Sequence, residues 1–391
     1  MIDRVWRHVL LVMVVSSYAM ASDSRIGPFK NNHIESVERP LLEVLRWQWN
    51  AYQQGLPKPA MTPTPITPPN IAQIHDYPRG MHGAQPSASP ALTWIGHATM
   101  LVQAGGLNIL TDPVFSERAS PFSLIGPKRA QPPGVALGDL PPIDVVLISH
   151  NHYDHLDRYT IEALHQKANE AGLCTLFLVP LGLKQWFTDM GIDHVQELDW
   201  WQQVSVGGVA FYFTPTQHWS ARGLTDQNAS LWGAWAVLSQ DLHWYFAGDT
   251  GYSPDFKATQ AHFAPQHTQA LGGGFDLALI PIGAYEPRWF MAAQHINPEE
   301  AMQIHADLGA KRSVGIHWGT FPLTDEALDQ PPQDLALARE RANRAPEDFS
   351  VMKIGETQLL PRRVLPNLAQ DTSYSTILAA DDHACSGSRA N

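Results

Sequence analysis

Cysteine is nearly absent from this sequence: 391 residues hold two, Cys174 within an apolar run and Cys385 in a polar tail. Two cysteines exclude a disulfide-stapled scaffold and a Cys-rich metal knuckle, and their contrasting settings give no reason to expect them to pair. Long apolar runs are lacking as well. The apolar stretch near the N-terminus, 9–15, falls short of the roughly 20 residues a spanning helix needs, so no transmembrane segment is expected. Positive charge is scarce, with 26 Lys+Arg against 38 Asp+Glu and a net charge of -12. Such a chain offers phosphate backbones little long-range attraction, which argues against a nucleic-acid partner. Charged residues are 16% and hydrophobic ones 44% of the chain, a balance that fits a compact enzyme and excludes general disorder.

What the chain does have is proline, histidine and tryptophan: 31, 18 and 13 residues respectively. Arg4 and Arg7, the apolar stretch 9–15 and the small residues ending in Ala19-Met20-Ala21 have the order of a secretory signal, with cleavage after Ala21. Export to the periplasm, or residence at the periphery of a membrane, is therefore the expected location. A proline-rich arm occupies 22–90, a folded domain is expected over 91–366, and a disordered polar tail over 367–391.

Within the domain, 92–102 and 107–111 read as a hairpin, and 145–149 as a short buried strand leading to a helix over 157–171. Further buried strands are expected at 175–179, 209–214, 234–238, 243–247, 277–281 and 313–316, with helices at 183–190, 298–308 and 335–344. Asn297 as N-cap, Pro298 in the first turn and the Glu299-Glu300 pair mark the start of the second of these helices. Strands and helices mix without strict alternation. The fold class expected is α/β: an αββα sandwich of two mixed β-sheets flanked by helices.

The chemistry-bearing segment is Ser149-His150-Asn151-His152-Tyr153-Asp154-His155, directly after the strand 145–149. Side chains two apart on an extended segment point the same way, so His150 and His152 can converge on one ion. Asp154 and His155, after the bend toward the helix, can face a second ion. Two zinc ions need more ligands than four, and they are present where later strands end: His218, Asp249 and His317. His165, His194, His243, His262, His267 and His305 have no such setting and read as surface or hydrogen-bonded core residues.

The pattern His-x-His-x-Asp-His, followed by a lone His, a Gly-Asp and a terminal His, resembles the metal signature of the metallo-β-lactamase superfamily. The segments Trp94 to Thr99, Ser149 to Asp157, Gln217 to Arg222, Gly248 to Tyr252, Ile280 to Arg288, Gln294 to Ala301 and His317 to Phe321 are similar to its N-acylphosphatidylethanolamine-hydrolysing phospholipase D branch. The resemblance implies that His150, His152 and His218 hold one zinc, that Asp154, His155 and His317 hold the other, and that Asp249 bridges them. It implies Asp154 and His295 as catalytic groups and His97, beside His295, near the site. Tyr153, Arg222 and Arg288 join His97 as candidate substrate contacts, and Asp112 is a candidate partner for a ligand imidazole.

The activity implied is hydrolysis of an N-acylphosphatidylethanolamine to phosphatidic acid and an N-acylethanolamine by two zinc ions about 3.5 to 4 Å apart. The His at 152, where the oxygen-reducing diiron branch of the superfamily carries a carboxylate, favours hydrolysis. The expected partner is a phospholipid at a membrane surface; self-association into a homo-oligomer stays open. Two other readings survive on sequence alone: a lactonase or phosphoesterase of small soluble metabolites, and a zinc-stabilised lipid-binding protein.

Overall fold

The computed structural model describes residues 27–35, 37, 41–79, 88–268 and 272–363. The expected leader, its cleavage point, the polar tail and Cys385 lie outside the described residues. Two seven-stranded sheets stack face to face. The first uses β1 (Ala91–Gly96), β2 (Thr99–Ala104), β3 (Leu107–Thr111), β4 (Val145–Leu147), β5 (Leu176–Pro180) and β6 (Val195–Leu198). The second uses β7 (Gln203–Val206), β8 (Val209–Thr214), β9 (Ala234–Leu238), β10 (His243–Phe246), β11 (Leu277–Pro281), β12 (Ser313–Ile316) and β13 (Phe349–Ser350), before β14 (Thr357–Leu359) returns to pair with β1.

Period-two patterning explains why both faces of the first sheet are buried. Leu92, Trp94, Met100, Val102, Ile109, Val145, Leu147 and Leu178 point between the sheets, against Phe211, Phe213, Trp235, Val237, Trp244, Phe246, Leu279 and Ile316. Their neighbours Ile95, Leu101, Leu110, Val146, Ile148, Phe177 and Val179 point outward onto Ile161 and Leu164 of the helix Arg158–Glu170 and Phe187 of the helix Lys184–Thr188. Each such large side chain contributes roughly 1.5–3 kcal/mol by leaving water, so the sandwich forms a rigid base for its loops.

Strand direction decides where those loops gather. β3, β4, β5 and β6 run parallel, and β1 lies two antiparallel steps from β3, so β1, β3 and β4 all end at one rim. In the second sheet β10 to β13 run parallel and β8 lies two antiparallel steps from β10. Loops after β8, β10, β11 and β12 therefore share an edge, and ligand sites in α/β sheets favour the carboxyl ends of strands.

Several expectations are corrected. The run 92–102 is two strands, not one: a register shift at Gly96 and a turn at His97 and Ala98 fold it into its own hairpin. The last helix begins earlier than read, at Gln330–Arg341, because Pro331 and Pro332 occupy its first turn, where a missing N–H costs nothing. The arm is anchored and carries helices Leu41–Gln54 and Ile71–His75; Pro65 and Thr67 bond the backbone of Ile354 on either side. Cys174 is disulfide-bonded, against the sequence reading. It sits half-buried just ahead of β5. None of the described helices is long and apolar enough to cross a membrane.

Candidate metal centre

β4 delivers His150 and His152, while the turn that follows brings Asp154 and His155 beside them. The loop after β8 brings His218, that after β10 brings Asp249, and that after β12 brings His317. His150, Asp249, His155, His218 and His317 have almost no solvent contact and His152 is half-buried; Asp154 is the most open of the carboxylates, with 16% of its side chain exposed. Backbone compromises accompany this convergence. Asp112, His97 and His317 adopt φ of 32°, 54° and 61°, a left-handed region that costs non-glycine residues energy and tends to cluster at functional sites. Gly248 also has a positive φ, 58°, and a Cβ there would meet Ser149 Cβ at 2.5 Å. No other residue type lets the Asp249 turn press so closely on the His150 strand.

Two ligand sets emerge. In the first, His150 Nε2 and His218 Nε2 lie 2.8 and 3.3 Å from His152 Nδ1. In the second, Asp154 Oδ2 lies 3.4 Å from His155 Nε2 and 3.3 Å from His317 Nε2, which are 3.1 Å from each other. Asp249 stands between the sets: its carboxylate is 3.1 Å from His155 Nε2 and 3.2 Å from His317 Nε2, and 3.9 and 4.0 Å from His150 and His218 Nε2. Nitrogens about 3.3 Å apart are what tetrahedral bonds of about 2.0 Å to one zinc would give.

The outer hydrogen bonds show which lone pairs are free. His155 Nδ1 donates to Asp112 Oδ2 at 2.6 Å, and His218 Nδ1 donates to the Gln294 carbonyl at 3.0 Å. His150 Nδ1 lies 2.9 Å from Ser149 Oγ, which donates to Asp112 Oδ2 at 2.5 Å. With their Nδ1 protons so committed, these three imidazoles turn bare Nε2 lone pairs toward the shared space. Lone pairs facing each other at such distances are repulsive unless a cation lies among them, so the donor set fits bound metal.

Electrostatics agree for the all-histidine set, while in the other set, against the effect of burial, Asp249 and Asp154 hold His155 well above the usual imidazole range and His317 up at about 9. Burial, reinforced by neighbouring imidazoles, holds His150 well below the usual imidazole range; burial likewise holds His218 there, and both are kept neutral, as ligands must be. Burial pushes the Asp249 and Asp154 carboxyls up, but the imidazoles facing them, His155 first, outweigh it and hold both well below ordinary carboxylate values. Three carboxylates thus sit in one buried pocket with no lysine or arginine paired to them, counting Asp112.

The supporting residues divide differently from the sequence reading. His97 is buried and its Nε2 lies 3.1 Å from Asp154 Oδ2, so it steadies a ligand carboxylate and does not open to substrate. His295 Nδ1 lies 3.8 Å from Asp249 Oδ2 and has no hydrogen-bond partner, at the more open side of the cluster. Of the candidate phosphate contacts, Arg222 donates through Nη1 to the Asn151 and Leu156 carbonyls, and Arg288 pairs with Glu300 at 2.7 Å and donates to the His295 carbonyl. Tyr153 stacks beneath Arg222, 4.1 Å from its guanidinium carbon, and donates to the Arg222 carbonyl.

Sequence reasoning missed Asn31, whose side chain bonds both backbone groups of His218 at 2.9 Å. No spacing signal could have found it, since it lies 187 residues away. The Trp219 ring, 4.5 Å from His152, packs edge-on against that imidazole.

A family model described as "Beta-lactamase superfamily domain" matches residues 107–318. The chain is similar to the N-acyl-phosphatidylethanolamine-hydrolyzing phospholipase D 1 of Caenorhabditis elegans, 41% identical over 276 residues that make up 68% of this chain and 74% of that one. It is 37% identical over 253 residues to the mitochondrial N-acyl-phosphatidylethanolamine-hydrolyzing phospholipase D of Saccharomyces cerevisiae, covering 63% of this chain and 51% of that one. Among solved structures, a possible metal-dependent hydrolase from Veillonella parvula superposes with a TM-score of 0.55 at 16% identity, covering 70% of this chain and 100% of that one; this likeness is one of fold.

Proposed function

Because this chain belongs to the metallo-β-lactamase superfamily, in the branch of the N-acylphosphatidylethanolamine-hydrolysing phospholipases D, we propose that it is a zinc-dependent phosphodiesterase. Its substrate is then an N-acylphosphatidylethanolamine, cleaved to phosphatidic acid and an N-acylethanolamine. That the chain is a metal-dependent hydrolase follows from family and site together; zinc and the lipid are the proposal. The observation that carries it is Asp249 standing between two complete ligand sets, an arrangement suited to paired cations acting on one phosphodiester.

Bound there, two zinc ions would supply an activated water and Lewis-acid polarisation of a phosphoryl oxygen. The protein's own part is orientation. Asp154, fixed through Oδ2 by His97, His155 and His317, presents its carboxylate at the open side, where it orients the attacking water. His295 offers the unpartnered Nδ1 to a phosphoryl or departing oxygen. Arg288 holds the His295 carbonyl and so keeps that ring in place.

We place the enzyme at the edge of a membrane. Supporting this, the helix Leu41–Gln54 exposes Leu42, Trp49 and Tyr52, and Trp47 stacks on Phe290 next to the exposed Trp289, a few residues before His295. Tryptophan and tyrosine suit the lipid–water boundary. Purified protein incubated with vesicles of synthetic N-acylphosphatidylethanolamine should yield phosphatidic acid and N-acylethanolamine by mass spectrometry, with Asp154→Asn inert. Intact lipid with wild-type protein that carries two cations per chain would overturn the substrate, and opening of a sugar lactone by the same sample would point to a soluble metabolite instead.

A further inference from the structure

We propose that Asn31 is a positioning residue for the first cation, and that segment 27–35 completes the ligand set formed by His150, His152 and His218. The proposal rests on the metal-site reading but adds a part of the chain that the family match, residues 107–318, does not include.

The need for such a part arises from the loop that carries His218. β8 ends at Thr214, four residues short, and from there to β9 the chain has only an isolated bridge between Gln217 and Gly251. A ligand so placed owes its position to whatever binds its backbone. Asn31 does so in both directions: its Oδ1 accepts from the His218 N–H and its Nδ2 donates to the His218 carbonyl, each at 2.9 Å. The amide thus pairs with the peptide as a neighbouring strand would, and it fixes both translation and tilt of the His218 backbone. The same Oδ1 accepts from Trp232 Nε1 at 3.2 Å, and that indole, fully buried, also donates to the Thr216 carbonyl.

Asn31 is itself held from both sides. Ahead of it, Phe29 N–H donates to the Asn228 carbonyl at 2.9 Å, at the far end of the His218 loop. Behind it, Asn32 Nδ2 donates to Asp255 Oδ1 at 2.9 Å and His33 Nε2 lies 3.2 Å from the same oxygen; Asp255 sits at the start of the helix that follows the Asp249 loop. The strap therefore ties the loop of one ligand to the element next to another. The Nδ1 proton of His218 is separately committed to Gln294, so Asn31 governs where the imidazole stands, and Gln294 governs which nitrogen it offers.

The test compares full-length wild type with Asn31→Leu, which removes both bonds, and Asn31→Ser, a milder change that keeps an oxygen should the first variant fold poorly. Cation content is measured by elemental analysis after dialysis against graded chelator, release rates with a chromogenic chelator, and melting temperature on the cation-free proteins. Loss of partners that orient a ligand costs roughly 10–100-fold in metal affinity, so one of two cations should leave roughly 10–100 times faster while the other keeps its wild-type rate. Cobalt substitution should show the change in the bands of the all-histidine set. The cation-free variants should melt close to cation-free wild type. The proposal is overturned if both cations leave at wild-type rates, or if both are lost together along with a matching fall in the melting point of the cation-free protein, the mark of a merely structural contact. Wild type without two cations would instead defeat the metal-site reading itself.

Discussion

Replacing Asp112 by Asn keeps the size of the side chain and, because asparagine tolerates left-handed backbone, does not worsen the strain at φ 32°. What it changes is one oxygen. Asp112 receives three hydrogen bonds: Ser149 N–H on Oδ1 at 2.7 Å, and Ser149 Oγ and His155 Nδ1 on Oδ2 at 2.5 and 2.6 Å. An amide can satisfy only one side. If its NH2 faces His155, the imidazole proton must move to Nε2, and the lone pair that serves the second ligand set disappears. If instead its NH2 faces Ser149 N–H, two donors meet in a buried site, and an unmet buried N–H costs about 1–3 kcal/mol. Either arrangement matches the 10–100-fold loss of affinity typical of such partners, about 1.4–2.7 kcal/mol. Equilibrium dialysis in zinc buffers should therefore show one of two cations bound roughly 10–100 times more weakly, with the other little changed. Unaltered affinity for both cations in a folded Asp112→Asn protein would refute the claim that this carboxylate dictates which nitrogen His155 presents.

Stripping the cations should lower the melting temperature, since free cation at 100 times its dissociation constant adds about 2.7 kcal/mol per independent site; a melting curve indifferent to chelator would contradict the ligand geometry. Gly248→Ala pushes a methyl against Ser149 at a left-handed position, and urea titration should show a loss of about 1–3 kcal/mol or more; wild-type stability would mean the turn has room that the structure denies it. Asn297→Ala removes the cap that bonds Glu300 N–H. About 1 kcal/mol should go, together with some turnover as Glu300 loosens its hold on Arg288 and thereby on the His295 carbonyl; turnover unchanged at the lower stability would sever that link. Replacing Leu42 and Trp49 together by serine should weaken flotation with vesicles while leaving hydrolysis of detergent-dispersed lipid intact, and undiminished flotation would remove this helix from the membrane-facing surface.

How much of this was legible in the sequence depends on how local each signal is. Strands 209–214, 234–238, 277–281 and 313–316 appear where they were read, since apolar runs of that length bounded by turn residues have few other options. The cap at Asn297 was visible because its partner Glu300 is three residues away. The seven ligand candidates were visible because the motif is compact and each remaining member follows a strand; the structure brings all seven within one cluster of ligand atoms. Among the bystanders, His194 bonds the Thr175 carbonyl and His305 bonds Ser313 Oγ, as ordinary core histidines do. What stayed hidden depends on distant contacts. Nothing in the local sequence reveals which carbonyls Arg222 and Arg288 meet. The strap at Asn31 and the pairing of 65–67 with Ile354 join segments hundreds of residues apart, which only the folded chain can show.

The ligands come from opposite halves of the sandwich: His150, His152, Asp154 and His155 follow a strand of one sheet, while His218, Asp249 and His317 follow strands of the other. Each cation would thus rivet the two halves together at a seam otherwise closed by hydrophobic packing and a few hydrogen bonds, such as that from the Trp235 indole to the Ile148 carbonyl. The chain can stack its sheets before any ion arrives, but only the stacked form offers donors from both halves at once. A partly folded chain therefore has neither ligand set complete.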